Sequence, residues 1–290
     1  MRPLLLFIVL VAATPLAAQN IGTQSDTTLS GVPLGVDEHE YPAGTVTTYR
    51  ATHVLHLGDT AVDVAEYSRT IEPYSGIRMN MLVLHDDENT AVEAGRRFVS
   101  EEGGRIVELR AQGNRRVAFS VDGAPYDLDP NRIFTASGVE ATLGSDANVS
   151  AASIVRLFGD ALLGVYSAGE FVITLHNNTE GQYSARSYLP GGVFEADAAD
   201  IHIEEGSDPD DFFFVTDPDL FTALKADDFN VVLQNNEAAT DDGSLSVWAA
   251  QQGFVYVNVE AQHGHLEEQV AMIESLAFLL RMLEHRHHTH

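Results

Sequence analysis

Alternation and helical spacing divide this chain into strands and helices before any single residue suggests chemistry. From Thr45 the residues alternate, Val46-Thr47-Thr48-Tyr49-Arg50-Ala51-Thr52-His53-Val54-Leu55, as in a strand with one covered face. Gly58-Asp59 is a turn, and a second alternating run through Val62, Val64 and Tyr67 to Ile71 completes a hairpin or a pair of adjacent strands. Residues 79–84 and 171–175 are short apolar runs that read as buried strands. Further strands are predicted at 106–109, 117–121, 212–215, 231–234 and 255–259, with a turn at 111–115 and a loop from Asp122-Gly123 to Asp129. Residues 88–101 predict a helix in which Ala91, Ala94, Gly95, Phe98 and Val99 share a face. Asp86, Asp87 or Asn89 is placed to cap it, and Gly103-Gly104 to end it. A second helix covers 150–166, with Ile154, Val155, Phe158, Leu162 and Val165 inward; shorter and later helices fall at 219–226 and about 266–284. Residues 177–211 are rich in loops. This alternation predicts an α/β fold: a mixed, mainly parallel twisted sheet with helices on both faces, in a single domain over residues 44–284.

The two ends read differently. Residues 1–18 carry Arg2, an apolar stretch over 4–13 and Leu16-Ala17-Ala18 before a cleavage point, the pattern of a secretory signal peptide too short to span a bilayer. Residues 19–43 are a polar, flexible lead-in. Residues 285–290, His285-Arg286-His287-His288-Thr289-His290, are a His-rich tail, read as a solvated end. No other stretch reads as apolar and long enough to cross a bilayer, so no stable membrane insertion is expected after signal cleavage.

Composition narrows the chemistry. The 290 residues contain no cysteine, so there is no disulfide and no thiolate site, and any transition-metal site must use His and carboxylates. Forty-three acidic residues against sixteen basic ones give a formal charge of -27, which argues against nucleic-acid partners and anionic lipid. The expectation is a periplasmic or secreted protein.

In open α/β sheets, sites form beyond the carboxyl ends of strands. The run at 79–84 delivers His85, with Glu88 one helical turn on; the run at 171–175 delivers His176. Two imidazoles and a carboxylate make a three-ligand zinc set with one position left for water. The plainer readings are a satisfied buried histidine and a first-turn carboxylate favoured by the helix dipole.

Three motifs in order, His85-Asp86-Asp87-Glu88, Asp129-Pro130-Asn131-Arg132-Ile133-Phe134 and Leu175-His176-Asn177-Asn178-Thr179, resemble the zinc carboxypeptidase superfamily, and within it the aspartoacylase and succinylglutamate desuccinylase branch. The resemblance covers roughly residues 79–284. It implies that His85, Glu88 and His176 hold one zinc ion and that Asp129 steadies a ligand imidazole. It also implies that Asn131 and Arg132 hold a substrate carboxylate, a role suited to the planar guanidinium fork. Glu260, at the end of a late strand, takes the place of the general base. The superfamily often has an arginine upstream of Asn-Arg as oxyanion donor; Arg115 and Arg116 lie nearest, and Arg116 is taken. Tyr183, Arg186 and Tyr188 are expected to line the pocket. Asp86-Asp87 replaces the small Gly-Asn pair common in the first motif, adding negative charge close to the ion.

The function these readings imply is a zinc-dependent hydrolase of an amide bond near a free carboxylate. Its substrate would be a small peptide or acylated amino acid. The alternative is a non-catalytic metal- or peptide-binding module on the same fold.

Overall fold

The hairpin expected from the alternation at residue 46 is present in the computed structural model, which describes residues 23–24, 46–71, 79–144 and 148–287. A two-residue strand, β1 (Thr23–Gln24), pairs with the outer edge of β2 (Val46–Leu57), and β2 pairs along its length with β3 (Thr60–Ile71). The expected signal peptide, the rest of the lead-in and residues 288–290 of the tail lie outside the described residues. The chain continues through β4 (Asn80–Val83), α1 (Asn89–Glu102), β5 (Gly104–Leu109), β6 (Val117–Val121), β7 (Ala124–Leu128), α2 (Ala136–Leu143) and α3 (Val149–Tyr166). After these come β8 (Phe171–Asn178), β9 (Ala198–His202), β10 (Phe212–Val215), α4 (Pro218–Ala226), β11 (Val231–Gln234), α5 (Leu245–Gln252), β12 (Val255–Gln262) and α6 (Leu266–His287).

Ten strands form one sheet in the order β1-β2-β3-β5-β4-β8-β12-β10-β11-β9, and β6 and β7 form a separate hairpin. The centre, β5-β4-β8-β12, is parallel. Both flanks are largely antiparallel. Parallel pairing therefore predominates at the centre and not across the whole sheet. That centre puts the carboxyl ends of β4, β8 and β12 side by side, which is where the candidate residues stand.

Period-2 alternation sends successive strand residues to opposite faces, and each face has its own core. One face packs Leu82, Leu84, Val172, Phe212, Phe214 and Tyr256 against α3, α5 and the β6–β7 hairpin. The other packs Met81, Val83, Ile173, Leu175, Val257 and Val259 against α1, α4 and α6. The helix α3 is long and apolar enough to cross a membrane by length and composition, which corrects the expectation that no stretch beyond residues 1–18 is. Here it buries Val155, Phe158, Leu162 and Tyr166 on the sheet. Buried Tyr166 ties its end to the centre: its hydroxyl donates to Asn80 O and accepts from Ile173 N, both at 2.9 Å.

Capping is local where the sequence offers a short polar side chain. Asn148, Thr135 and Asp217 cap α3, α2 and α4. The start of α1 is different. Glu88 stands at its N-cap without a side-chain cap, and Asn177 Oδ1, from the end of β8, accepts from Ala91 N at 2.8 Å instead. The side chain that would have capped the helix is thereby left for the site.

Candidate metal centre

Three donor groups meet at the ends of β4 and β8. His85 follows β4, Glu88 opens α1, and His176 lies in β8. His85 Nδ1 is 2.8 Å from Glu88 Oε1, His176 Nδ1 is 2.9 Å from Glu88 Oε2, and the two Nδ1 atoms are 3.2 Å apart. All three residues are buried and have the geometry of a group able to hold a metal ion. Ligands about 2.0–2.1 Å from one tetrahedral ion stand roughly 3.3 Å from each other, close to the spacing seen.

The hydrogen-bond inventory supports the fit. Nε2 of His85 donates to Asp129 Oδ1 at 2.9 Å, as expected for the carboxylate that steadies a ligand ring. A neutral His85 then turns the lone pair of Nδ1 toward a carboxylate and a second ring nitrogen. Such a cluster repels itself unless His85 takes a second proton or all three groups share a cation. The His176 ring bonds only through Nδ1; its Nε2 is buried without a partner. Electrostatics follow the same pattern. Burial opposes charge on His85, but Glu88 and Asp129 outweigh it and raise its pKa to about 9. Burial likewise disfavours the Glu88 carboxylate, yet His176 and His85 hold its pKa well below the usual range. For Asp129, burial is outweighed by His85 in the same direction. Burial pushes the pKa of His176 down, with Glu88 opposing.

Glu260 is 4% exposed and lies directly across from His176 in the parallel register of β8 and β12. Asn258 Nδ2 donates to its Oε2 at 2.9 Å. Burial first, and the charge of Glu88 second, push its pKa up to about 8, within the range useful to a general base. A cavity of about 720 Å³ joins these groups, lined by His85, Glu88, His176 and Glu260 together with Asn131, Arg132 and Tyr183. Arg132 is held by its own neighbours: it donates to Asn131 O at 2.7 Å and pairs with Asp242 at 3.4 Å. Asn131 Oδ1 accepts from Leu245 N, tying the Asn131-Arg132 segment to α5.

Two expected residues stand elsewhere. Arg116 pairs with Asp127 across the exposed β6–β7 hairpin, whereas Arg115 reaches the site and donates to Glu88 Oε1 at 2.8 Å. The alternation of Val117, Phe119 and Val121, all buried, carried the signal: one step back, it puts Arg115 on the inward side and Arg116 outside. Arg186 is exposed and does not line the cavity, although Tyr183 and Tyr188 do.

The sequence reading put the charge of both aspartates of the first motif close to the ion, and for Asp86 this is corrected. Asp86 faces away from the donors and accepts from Ala111 N and Gly113 N, both at 2.7 Å, and from Arg110 at 3.1 Å. It shapes the turn that presents Arg115, and only Asp87 of the pair lines the cavity. A buried amide clamp was also missed. Gln269 of α6 donates to His176 O and Val259 O, and accepts from Asn177 Nδ2. It fixes the ends of β8 and β12 together.

Taken together, fold and site define an α/β protein with a buried His/Glu/His group able to hold a metal ion and a carboxylate beside it. No family model matches the chain, and no curated protein matches it. Solved structures do. An aspartoacylase family protein from Mesorhizobium loti is 18% identical, over 81% of this chain and 67% of its own, with a TM-score of 0.42. Succinylglutamate desuccinylase from Vibrio parahaemolyticus is 13% identical, over 81% and 77%, with a TM-score of 0.38. Likeness this loose assigns no activity; what the site can do follows from its own side chains.

Proposed function

We propose that the chain is a zinc-dependent hydrolase of an amide bond close to a free carboxylate, acting on a short peptide or an N-acyl amino acid. The observation that carries this reading is the cluster of His85, Glu88 and His176, in which the Asp129 bond leaves Nδ1 of neutral His85 without a proton to share. Its donor set, two imidazoles and one carboxylate, matches catalytic zinc sites that keep one position open. The chemistry a bound zinc ion supplies is polarisation of a carbonyl and acidification of a water molecule.

The remaining work falls to the chain. Glu260, with its raised pKa, accepts the proton of the attacking water and returns it to the leaving amine nitrogen. Arg132 and Asn131 hold the substrate carboxylate at the cavity wall, so that binding fixes orientation. Arg115, poised over Glu88, supplies positive charge where the carbonyl oxygen becomes negative. The signal-like pattern of residues 1–18 supports export and an extracytoplasmic substrate.

The test is metal content and turnover together. Chelator-treated protein supplied with zinc should retain one ion per chain after dialysis. Glu260→Gln should keep that ion and lose turnover by a factor on the order of 10²–10⁴. Parent and variant that bind zinc but are equally inert across short peptides and N-acyl amino acids would point to the non-catalytic metal- or peptide-binding module.

A further inference from the structure

The cavity is unevenly furnished. Its lining includes five carboxylates, Asp87, Glu88, Asp197, Asp242 and Glu260, against two arginines, Arg115 and Arg132, and no lysine. Arg115 is engaged by Glu88. Arg132 is half-buried and shares its charge with Asp242. One substrate carboxylate can therefore be matched at Arg132. A second, away from the His85, Glu88 and His176 group, would meet no free arginine or lysine among the described lining residues and would face Asp87, Asp197 and Asp242.

The same cavity has an aromatic wall. Tyr188 packs against Phe194 and Phe214, with ring centroids 5.5 and 5.3 Å apart, and Tyr183 packs edge-on to Phe194 at 5.9 Å. The Tyr183 and Tyr188 hydroxyls bond each other at 2.6 Å, so these polar tips are satisfied within the wall. The loop after Tyr188 is built to present apolar groups outward: Gly192 N donates to Leu189 O and Phe194 N to Ser187 O. It leaves Val193 84% and Phe194 39% exposed where they line the cavity. Exposed apolar side chains at the entrance of an otherwise polar, acidic cavity mark the part of a ligand that is itself apolar.

We propose that the substrate carries a single carboxylate and an apolar, preferably aromatic, side group seated against Tyr188, Phe194 and Phe214, and that dicarboxylic acylamino acids are rejected. This rests on the hydrolase reading above and goes beyond it in naming the substrate class. An apolar group in a fitted wall is worth about 10- to 200-fold in discrimination; a second carboxylate without a partner is opposed as well.

The test separates binding from turnover. Zinc-loaded protein is offered N-acetyl-L-phenylalanine, N-acetyl-L-aspartate and N-succinyl-L-glutamate. Binding of 3-phenylpropanoate and of succinate is measured by calorimetry on the same preparation. The expected result is a kcat/KM at least about tenfold higher for the phenylalanine derivative, and 3-phenylpropanoate binding at least tenfold tighter than succinate. Phe194→Ala should erode both preferences while leaving zinc content unchanged. If 3-phenylpropanoate is preferred but nothing is hydrolysed, the hydrolase reading fails and the ligand class stands. Preference for either dicarboxylic substrate or for succinate, or binding of neither small acid, overturns the proposal.

Discussion

At the scale of single residues, Arg115 and Arg116 make the sharpest contrast: they are neighbours just before β6, and their side chains go to different places. One lies 2.8 Å from a donor of the metal cluster and the other is spent on the outside of a hairpin. Arg115→Ala should lower kcat by about 10²–10³, the usual loss when one oxyanion donor is removed, with a smaller change in KM. Arg116→Ala removes only a half-exposed ion pair with Asp127 and should leave kcat within about twofold, since such pairs contribute little. Steady-state kinetics on the two variants, with zinc content measured beside them, would check this. Equal losses, or a larger loss for Arg116→Ala, would remove Arg115 from the site. At this scale the sequence was most legible where strand ends carry the donors: His85, Glu88, His176, Asp129 and Glu260 all converge on one cavity or its wall. It was least legible where the side chain's direction depends on a turn, as with Asp86 and Arg186.

At the scale of elements, the buried strands and the longer helices were readable because their apolar runs or spacings are unbroken. Five elements were not, the first being β1, two residues within the expected flexible lead-in. The strand β7 is Ala124-Pro125-Tyr126-Asp127-Leu128, largely exposed, and pairs only with β6. The strand β9 is a partly exposed edge. The helix α2 is short and rich in small residues, and α5 buries Leu245, Ser246, Val247 and Ala249 with no helical spacing to betray it. Yet α5 and the loop before it position Arg132. A Cβ at Gly243 would stand 2.4 Å from Gly138 Cα and 2.7 Å from Arg132 O, and Gly243 has φ of +80°. Phe134 N donates to Gly243 O across the same contact. Gly243→Ala should thus cost about 1–3 kcal/mol from overpacking and raise KM more than it lowers kcat, because the Asn131-Arg132 segment must shift. Urea unfolding and kinetics read the two effects separately; an unchanged KM would show that this contact does not position Arg132. By contrast, Tyr166→Phe should cost about 1–3 kcal/mol by leaving buried backbone groups unpaired, with no effect on KM, since Tyr166 lies at the far end of β8 from the donors. A KM change in that variant would mean that strain at the amino end of the central strands reaches the site.

For the whole molecule, the group formed by His85, Glu88 and His176 links stability to pH, and a bound ion would change the sign. Without metal, His85 has its pKa raised from 6.5 to about 9. Its contribution is fully present below about pH 6.5 and is lost as pH rises through about 9. Glu260 has its pKa raised from 4.5 to about 8. The unfolded chain gives up that proton first, so stability also falls between about pH 4.5 and 8. Glu88 and Asp129, with depressed values, act the other way: their contribution is present above the unfolded values of 4.5 and 3.8 and is lost as pH falls through the folded ones. His176, whose pKa burial pushes down, adds stability as pH rises to about 6.5, so the metal-free protein should be most stable between about pH 5 and 6.5 and lose stability toward pH 8. The rising self-repulsion of a chain with formal charge -27 acts in the same direction. Zinc held as proposed would compete with the proton on His85, so its binding should strengthen as pH rises over the same window. At free zinc one hundred times Kd the gain is about 2.7 kcal/mol, or roughly 5–10 °C in Tm for a domain of this size. Thermal melts of chelator-treated and zinc-supplied protein at pH 5, 6.5 and 8 should show a gap that widens with pH. Because charge repulsion acts on both samples alike, the gap isolates the cluster. A gap that stays constant, or one that closes toward pH 8, would mean that zinc, if it binds, does so away from His85, Glu88 and His176.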